Sequence, residues 1–342
     1  MSSGSQAKSG NFEFDEAGFL QKIPYPVTPT SIKGVYAGVA PPEGFDPNSA
    51  SAAELIKAGV LLRRPNAKDD PAVQSAWQKL ASRKWLAKDL VVPVMEVQYG
   101  KTHLLQAAPK KLTDTSYLTN TWSGAGTFSG TWAAVIGYWH VPTVSKPSES
   151  AGLEGGWNSS SWVGLDGFNL FITSNDVLQA GIQQKVDSAG KASYVAWYEW
   201  YAPATPSSPP YIYQTNITSI SVSPGDDISV VAQYVGKTSG YLFFYNLTTG
   251  KYLPITLAPP PGATFKGNTV EWVMEAPDGG EPNSALPKFT PLVFSHAQAC
   301  NSDGSVTNNP KNDDTMDIET VGDKVLTKVT LADYSVTIDF IG

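Results

Sequence analysis

Residues 268–277, NTVEWVMEAP, alternate in polarity. With a period of two, Val270, Trp272 and Met274 share one face, and Thr269, Glu271, Val273 and Glu275 share the other. That is the pattern of a β-strand that a proline ends. A plain core strand has no need for the carboxylate of Glu275 at that end. From about residue 117 such runs recur, each bounded by turn residues: GTWAAVIGYWHVP, SSSWVGLDG, DVLQAGIQQKVD, SYVAWYEWYAP, GYLFFYNLTTGKYLPITL, PLVFSHAQAC and DYSVTIDF among them. Ten or more strands at this spacing predict an all-β chain, an antiparallel β-sandwich or barrel. One face of each sheet forms the core, which leaves a second face free to carry a groove. In SYVAWYEWYAP both faces are aromatic, with Glu199 beside Trp197 and Tyr201, so this strand is a candidate for the groove wall.

The first part of the chain has another texture. Residues 1–48 are rich in Pro and Gly and predict irregular structure. Ser51-Ala-Ala-Glu54 is a capping box, and Asp70-Pro71 is an N-cap followed by a first-turn proline, so two short helices are expected. LVVPVMEVQYG predicts a strand, and APKKLTDTS a linker. The expected division is an N-terminal region, 1–110, and a β-sandwich, 111–342.

Charge sharpens this division. Residues 1–110 hold 13 Lys/Arg against 10 Asp/Glu, whereas 111–342 hold 11 Lys, no Arg and 21 Asp/Glu. A long acidic segment without arginine cannot neutralise phosphates in number, which excludes nucleic acid as a partner. It suits an acidic medium, where carboxylates neutralise and few fixed positive charges remain to repel one another. No run approaches the roughly 18 apolar residues of a membrane span, so no membrane partner is expected. MSSGSQAKSG shows no apolar run of a signal peptide, while sequons at Asn158, Asn216 and Asn246 are slight evidence of export.

Few catalytic patterns are present. The chain has three His (His103, His140, His296) and one Cys, with no HExxH and no CxxC, so neither a metal nor another cofactor is expected. GKTSG at 236–240 lacks the first glycine of a phosphate loop, whose place Val231 takes, and a strand surrounds it. His296 and Cys300 are four apart, which brings side chains together on a helix but not in an extended run; a core cysteine is the expectation there. Carboxylates and amides among aromatics remain. Gln179 shares a face with Val177 and Gly181, opposite Leu178, Ala180 and Ile182. A buried amide there needs hydrogen-bond partners whether its role is structural or chemical.

Six segments carry a resemblance: TWSGAG (121–126), GYWHVP (137–142), SSWVGLDG (160–167), VLQAG (177–181), AWYEWYAP (196–203) and VEWVMEAP (270–277). In this order and spacing they resemble the glutamic peptidases called eqolisins, peptidase family G1. The N-terminal pieces AAELIKAGVLLRRP and PAVQSAWQKL are similar to that family's pro-segment. The resemblance implies a lectin-like sandwich of two large antiparallel sheets with a groove on one face. It also implies an acid-active endopeptidase, usually exported, expected as a monomer and acting on polypeptides. It makes Gln179 and Glu275 the catalytic pair and sets Trp122, Trp162, Asp166 and Glu199 along the groove. Thr121 stands where the family has Asn, and Gln179 follows Trp162 at a longer interval, around FNLFITSN.

Such a pair suffices for peptide hydrolysis. A glutamate with an ordinary pKa near 4.3 can take a proton from water and return it to the leaving nitrogen. A glutamine amide can orient the water and donate to the oxyanion at any pH. The N-terminal region, net positive, is expected to cover the acidic groove at neutral pH and to loosen on acidification, with self-cleavage around 105–120. Two other readings use the same aromatic face. A β-sandwich glycosidase would use Glu199 and Glu275, and a lectin-like module would do no chemistry. Only the peptidase needs Gln179.

Overall fold

The computed structural model describes residues 14–82, 85–98, 110–128, 130–148, 156–167, 176–206, 213–277, 286–305, 307–319 and 323–342. FNLFITSN lies outside them, as do His103 and residues 99–109. Helix α1 (Glu16–Leu20) leads to strands β1 (Val27–Pro29) and β2 (Val35–Gly38), helices α2 (Ala52–Lys57) and α3 (Pro71–Ala81), and strand β3 (Met95–Val97). Strands then follow one another: β4 (Lys110–Thr113), β5 (Ser116–Thr119), β6 (Trp122–Thr127), β7 (Ala134–His140), β8 (Val144–Ser145), β9 (Trp157–Leu165), β10 (Val177–Val186), β11 (Ala192–Tyr201) and β12 (Thr215–Ile217). Next come β13 (Asp227–Val235), β14 (Ser239–Asn246), β15 (Lys251–Leu257), β16 (Val270–Glu275), β17 (Lys288–Phe289), β18 (Leu292–Cys300), β19 (Thr307–Asn308), β20 (Asp314–Ile318), β21 (Thr327–Ala332) and β22 (Ser335–Phe340).

The strands form two ten-stranded sheets packed face to face. The first runs β1-β2-β15-β14-β13-β7-β18-β22-β21, with β19 beside β18; the second runs β3-β12-β11-β10-β9-β16-β6-β20-β5-β4. The expected antiparallel sandwich is there with one amendment: β20 pairs with β5 in parallel. APKKLTDTS is not a linker, because Lys110–Thr113 pairs with β5 as the edge strand β4. Between the sheets lies a large apolar cluster. Val163, Leu165, Leu178, Ala180, Ile182, Trp272 and Met274 come from the second sheet, and Val230, Leu242, Ile255 and Phe294 from the first. The alternation in NTVEWVMEAP thus points Val270, Trp272 and Met274 inward, and Trp272 Nε1 donates to the Ile136 carbonyl at 2.8 Å. One polar set sits on this inner face. Ser159 donates to Gln184 Oε1 at 3.0 Å, and Gln184 Nε2 donates to Ser161 at 2.7 Å.

The two expected helices form as their caps dictate. Ser51 and Glu54 close the capping box of α2, and Asp70 caps α3 with Pro71 in its first turn. Helix α1 and strands β1 and β2 fall within the stretch expected to be irregular, because pairing with β15 supplies the order that the local sequence lacks.

The described N-terminal residues do not lie over the groove face. Leu55, Trp77, Leu80 and Trp85 pack on the outer face of the first sheet, against Ile136, Tyr138, Val231, Tyr241 and Phe243. Trp85 stacks on Phe243 with centroids 5.2 Å apart and planes at 12°. Tyr138 donates to the Ala76 carbonyl at 2.9 Å, and Lys79 pairs with Asp227 at 3.1 Å. This is a third layer, held by apolar burial rather than by the charge asymmetry of the sequence. Trp85→Ala should therefore cost about 3–5 kcal/mol of stability, the usual range for truncating a buried aromatic. Equilibrium denaturation measures it, and a loss under about 1 kcal/mol would mean that the layer is not part of the cooperative fold.

Candidate active site

Pairing partners in neighbouring strands share a face, so the ladders of the second sheet sort its outer face into three rows. One row holds Glu199, Gln179, Gly164 and Glu271; the middle one Asn216, Trp197, Gly181, Trp162, Val273 and Gly124; the third Val195, Gln183, Ser160, Glu275 and Trp122. An aromatic row thus runs between two rows that carry carboxylates and amides. Trp122, Trp162, Trp197, Val273, Met316 and Tyr117 form a cluster separate from the main core. Four of the expected groove residues, Trp122, Trp162, Gln179 and Glu199, share this face with Glu275.

Trp162 is the hub. Its indole N–H donates to Glu275 Oε2 at 2.8 Å. Trp122 meets it edge-on, with centroids 4.9 Å apart and planes at 81°. Its six-membered ring lies over Gly164: a Cβ there would stand 2.8 Å from the ring and 3.4 Å from Gln179 Cβ. One indole therefore reaches from the backbone beside Gln179 to the carboxylate of Glu275. Gly181 is equally constrained, since a Cβ there would lie 2.5 Å from Trp162 Cβ.

Gln179 pairs with Gly164 and Glu275 with Ser160 on the same strand, β9. The pair is therefore offset by two strands across the sheet and four residues along it. The same step recurs next door. Gln214, one residue beyond the Thr215–Tyr198 pair, is level with Glu199, while Gln183 pairs with Val195. These two are also two strands and four residues apart, in the same sense, and Gln214 Nε2 reaches Gln183 Oε1 at 3.4 Å. Sheet twist brings this diagonal within the reach of long side chains. Gln179 and Glu275 stand on the parallel diagonal, with Trp162 at its midpoint as Trp197 is at the other.

Gln179 also differs from the structural glutamine on its own strand. Both polar ends of the Gln184 amide are hydrogen-bonded to serines. Gln179 is 1% exposed, and its Oε1 is buried without a hydrogen-bond partner among the described residues. Leaving a buried acceptor unmet costs about 1–3 kcal/mol.

Asp166 takes another place. It follows β9 with φ at +66°. Its carboxylate accepts from the backbone N–H groups of Gly267 at 2.9 Å and Asn268 at 2.8 Å, and from the Tyr234 hydroxyl at 3.0 Å. It fastens the loop that feeds β16 and thereby sets where Glu275 ends up. Sequence reasoning passed over this role because its partners are backbone groups about a hundred residues away. Sequence reasoning also missed Gln183 and Gln214, whose meeting is set by register.

Several carboxyls on the sandwich are shifted upward. Burial pushes Asp166 to about 6, and burial with the Asp166 charge pushes Glu271 well above the usual range. Burial likewise holds Asp313 and Asp317 at about 6. The downward-shifted carboxyls, such as Asp69, Asp114 and Asp333, are surface groups beside cations, where solvent screens the effect. The upward set decides the sign. Protonation favours the fold, fully below about pH 4, and this contribution is lost as pH rises through about 6. The melting temperature should be higher at pH 4 than at pH 7, and Glu271→Gln should narrow the gap. Equal melting temperatures in the wild type would contradict this account.

The model of the Peptidase A4 family matches residues 120–340. Aspergillopepsin-2 of Aspergillus niger is 31% identical over 242 residues, 67% of this chain and 80% of that protein. Scytalidopepsin B of Scytalidium lignicola is 26% identical over 205 residues, 59% of this chain and 70% of that protein. Among solved structures, scytalido-glutamic peptidase with a transition state analog inhibitor superposes with a TM-score of 0.51 at 21% identity, over 65% of this chain and 98% of that one. This last likeness concerns the fold.

Proposed function

The chain belongs to the Peptidase A4 family and is a glutamic endopeptidase; we propose that Gln179 and Glu275 carry its reaction. The observation behind this is the geometry around Trp162: a carboxylate fixed by the indole N–H at 2.8 Å, and at the other end of the same diagonal an amide with an unmet buried oxygen. Ionised, Glu275 takes a proton from a water molecule as that water attacks the peptide carbonyl. The same proton then passes to the departing nitrogen, so the carboxylate is regenerated and no covalent intermediate forms. The Gln179 Oε1 accepts from the attacking water, and its NH2 donates to the oxyanion, a contribution of about 3–4 kcal/mol in other hydrolases. Trp162 donates to the carboxylate and keeps it in place. The glycosidase alternative, with Glu199 and Glu275, is not favoured: Glu199 pairs with Gln179 and stands three strands and two rows from Glu275.

Acid cleavage of denatured casein tests the assignment. Glu275→Gln and Gln179→Ala should each lose activity by at least about a hundredfold at pH 3–5 while melting as the wild type does. Activity retained in either pure variant refutes it.

Access must precede reaction. Gln179, Trp122, Trp162, Glu199 and Glu275 are each at most 1% exposed. Strands β3 and β4 lie on opposite edges of this sheet. We infer that residues 1–110 act as a pro-segment, and that self-cleavage around 105–120 at acid pH opens the groove. The setting is an acidic extracellular one, which the arginine-free acidic sandwich suits, and the active form is a monomer. Mass spectrometry of the pure chain at pH 4 should show a cut there that the Glu275→Gln variant lacks. An unchanged wild-type mass after hours overturns the pro-segment reading.

A further inference from the structure

The second diagonal has no place in the reaction, yet it copies the first. Gln214 and Gln183 flank Trp197 as Gln179 and Glu275 flank Trp162, with an amide where the carboxylate stands. Gln214 Nε2 also donates to Asn216 Oδ1 at 2.6 Å, so a short chain of amides surrounds this indole. Gly181 lies between the two tryptophans and adds no side chain of its own to the middle row, so the stem of Trp162 packs over it. The two diagonals are two strands apart, roughly 10 Å at the usual spacing of about 4.8 Å. An extended peptide advances about 3.3 Å per residue, so the second diagonal falls about three residues from the first.

We propose that Gln183 and Gln214 beside Trp197 form a specificity site for a substrate side chain bearing an amide, three residues from the bond that is cut. The proposal rests on Gln179 and Glu275 as the reacting pair. The substrate lies across the strands along the row Trp197, Gly181, Trp162. The apolar stem of its glutamine or asparagine rests on the Trp197 ring, and its amide replaces the 3.4 Å contact between Gln214 and Gln183 with two shorter hydrogen bonds, donating to Gln183 Oε1 and accepting from Gln214 Nε2. A site built to pair an amide rejects a residue that leaves those groups unmet. An apolar groove without this pair would not discriminate in that way.

The test uses the full chain after incubation at pH 4, once casein cleavage is established, on peptide libraries varied on both sides of the cut. Wild type should enrich Gln or Asn about tenfold at one position three residues away. Gln183→Leu should raise KM for those peptides about tenfold and hold kcat within about twofold. Gln183→Glu preserves the shape should the leucine variant not fold, and should shift the preference toward Lys or Arg. A library with no preference at that distance overturns the proposal, as does a Gln183 variant that lowers kcat equally for every peptide. No cleavage by wild type would instead count against the reacting pair.

Discussion

The hydrogen bond from the Trp162 indole to Glu275 organises the outer face of the second sheet. It ties the side chain of a central strand, β9, to the end of its neighbour β16. An indole can do this only if it lies flat along the sheet, and it lies flat only because Gly164 and Gly181 have no Cβ to lift it. Trp122 then closes on its edge. Burial in a dry aromatic setting strengthens each of these polar contacts relative to water. The carboxylate ends up held in a fixed place, as the role proposed for Glu275 requires.

Asp166 extends this control to the backbone. By accepting from Gly267, Asn268 and Tyr234 it anchors the entry to β16 against the opposite sheet. The position of Glu275 is thus set from both ends of its strand, by a side chain at the far end and a loop clamp at the near end. The carboxyls gathered on the sandwich without arginine make the fold itself suited to the pH at which the chemistry runs, so stability and activity draw on the same composition.

Much of this was legible in the sequence at the level of faces. Period-two alternation parted Glu275 from Val270, Trp272 and Met274, and Gln179 from Leu178, Ala180 and Ile182, and the ordered motifs supplied the roles that the resemblance implies. Neighbours were not legible. Alternation says which way a side chain points but nothing about what stands beside it, since that depends on the register of a distant strand. Hence the Gln214–Gln183 contact, the parallel pairing of β5 with β20, and the clamp role of Asp166 all emerge only from the structure. The Lys110–Thr113 edge strand was hidden for a related reason: its lysines and threonine read as a linker until β5 gives them a partner. The helices α2 and α3 were readable from their caps, but caps do not say which sheet a helix will cover.

The third layer has a consequence for how the sandwich can be cut down. Tyr138, Tyr241, Phe243, Tyr245 and Tyr252 on the first sheet are all buried beneath or beside the N-terminal residues. A free-standing sandwich normally turns polar side chains outward on such a face; this one turns aromatics outward and delegates its solubility to the segment that precedes it. A fragment beginning at Lys110 would be a sheet with a sticky back, prone to self-association. The natural small unit of this protein is the sandwich together with its cover, even where the chain between them is broken.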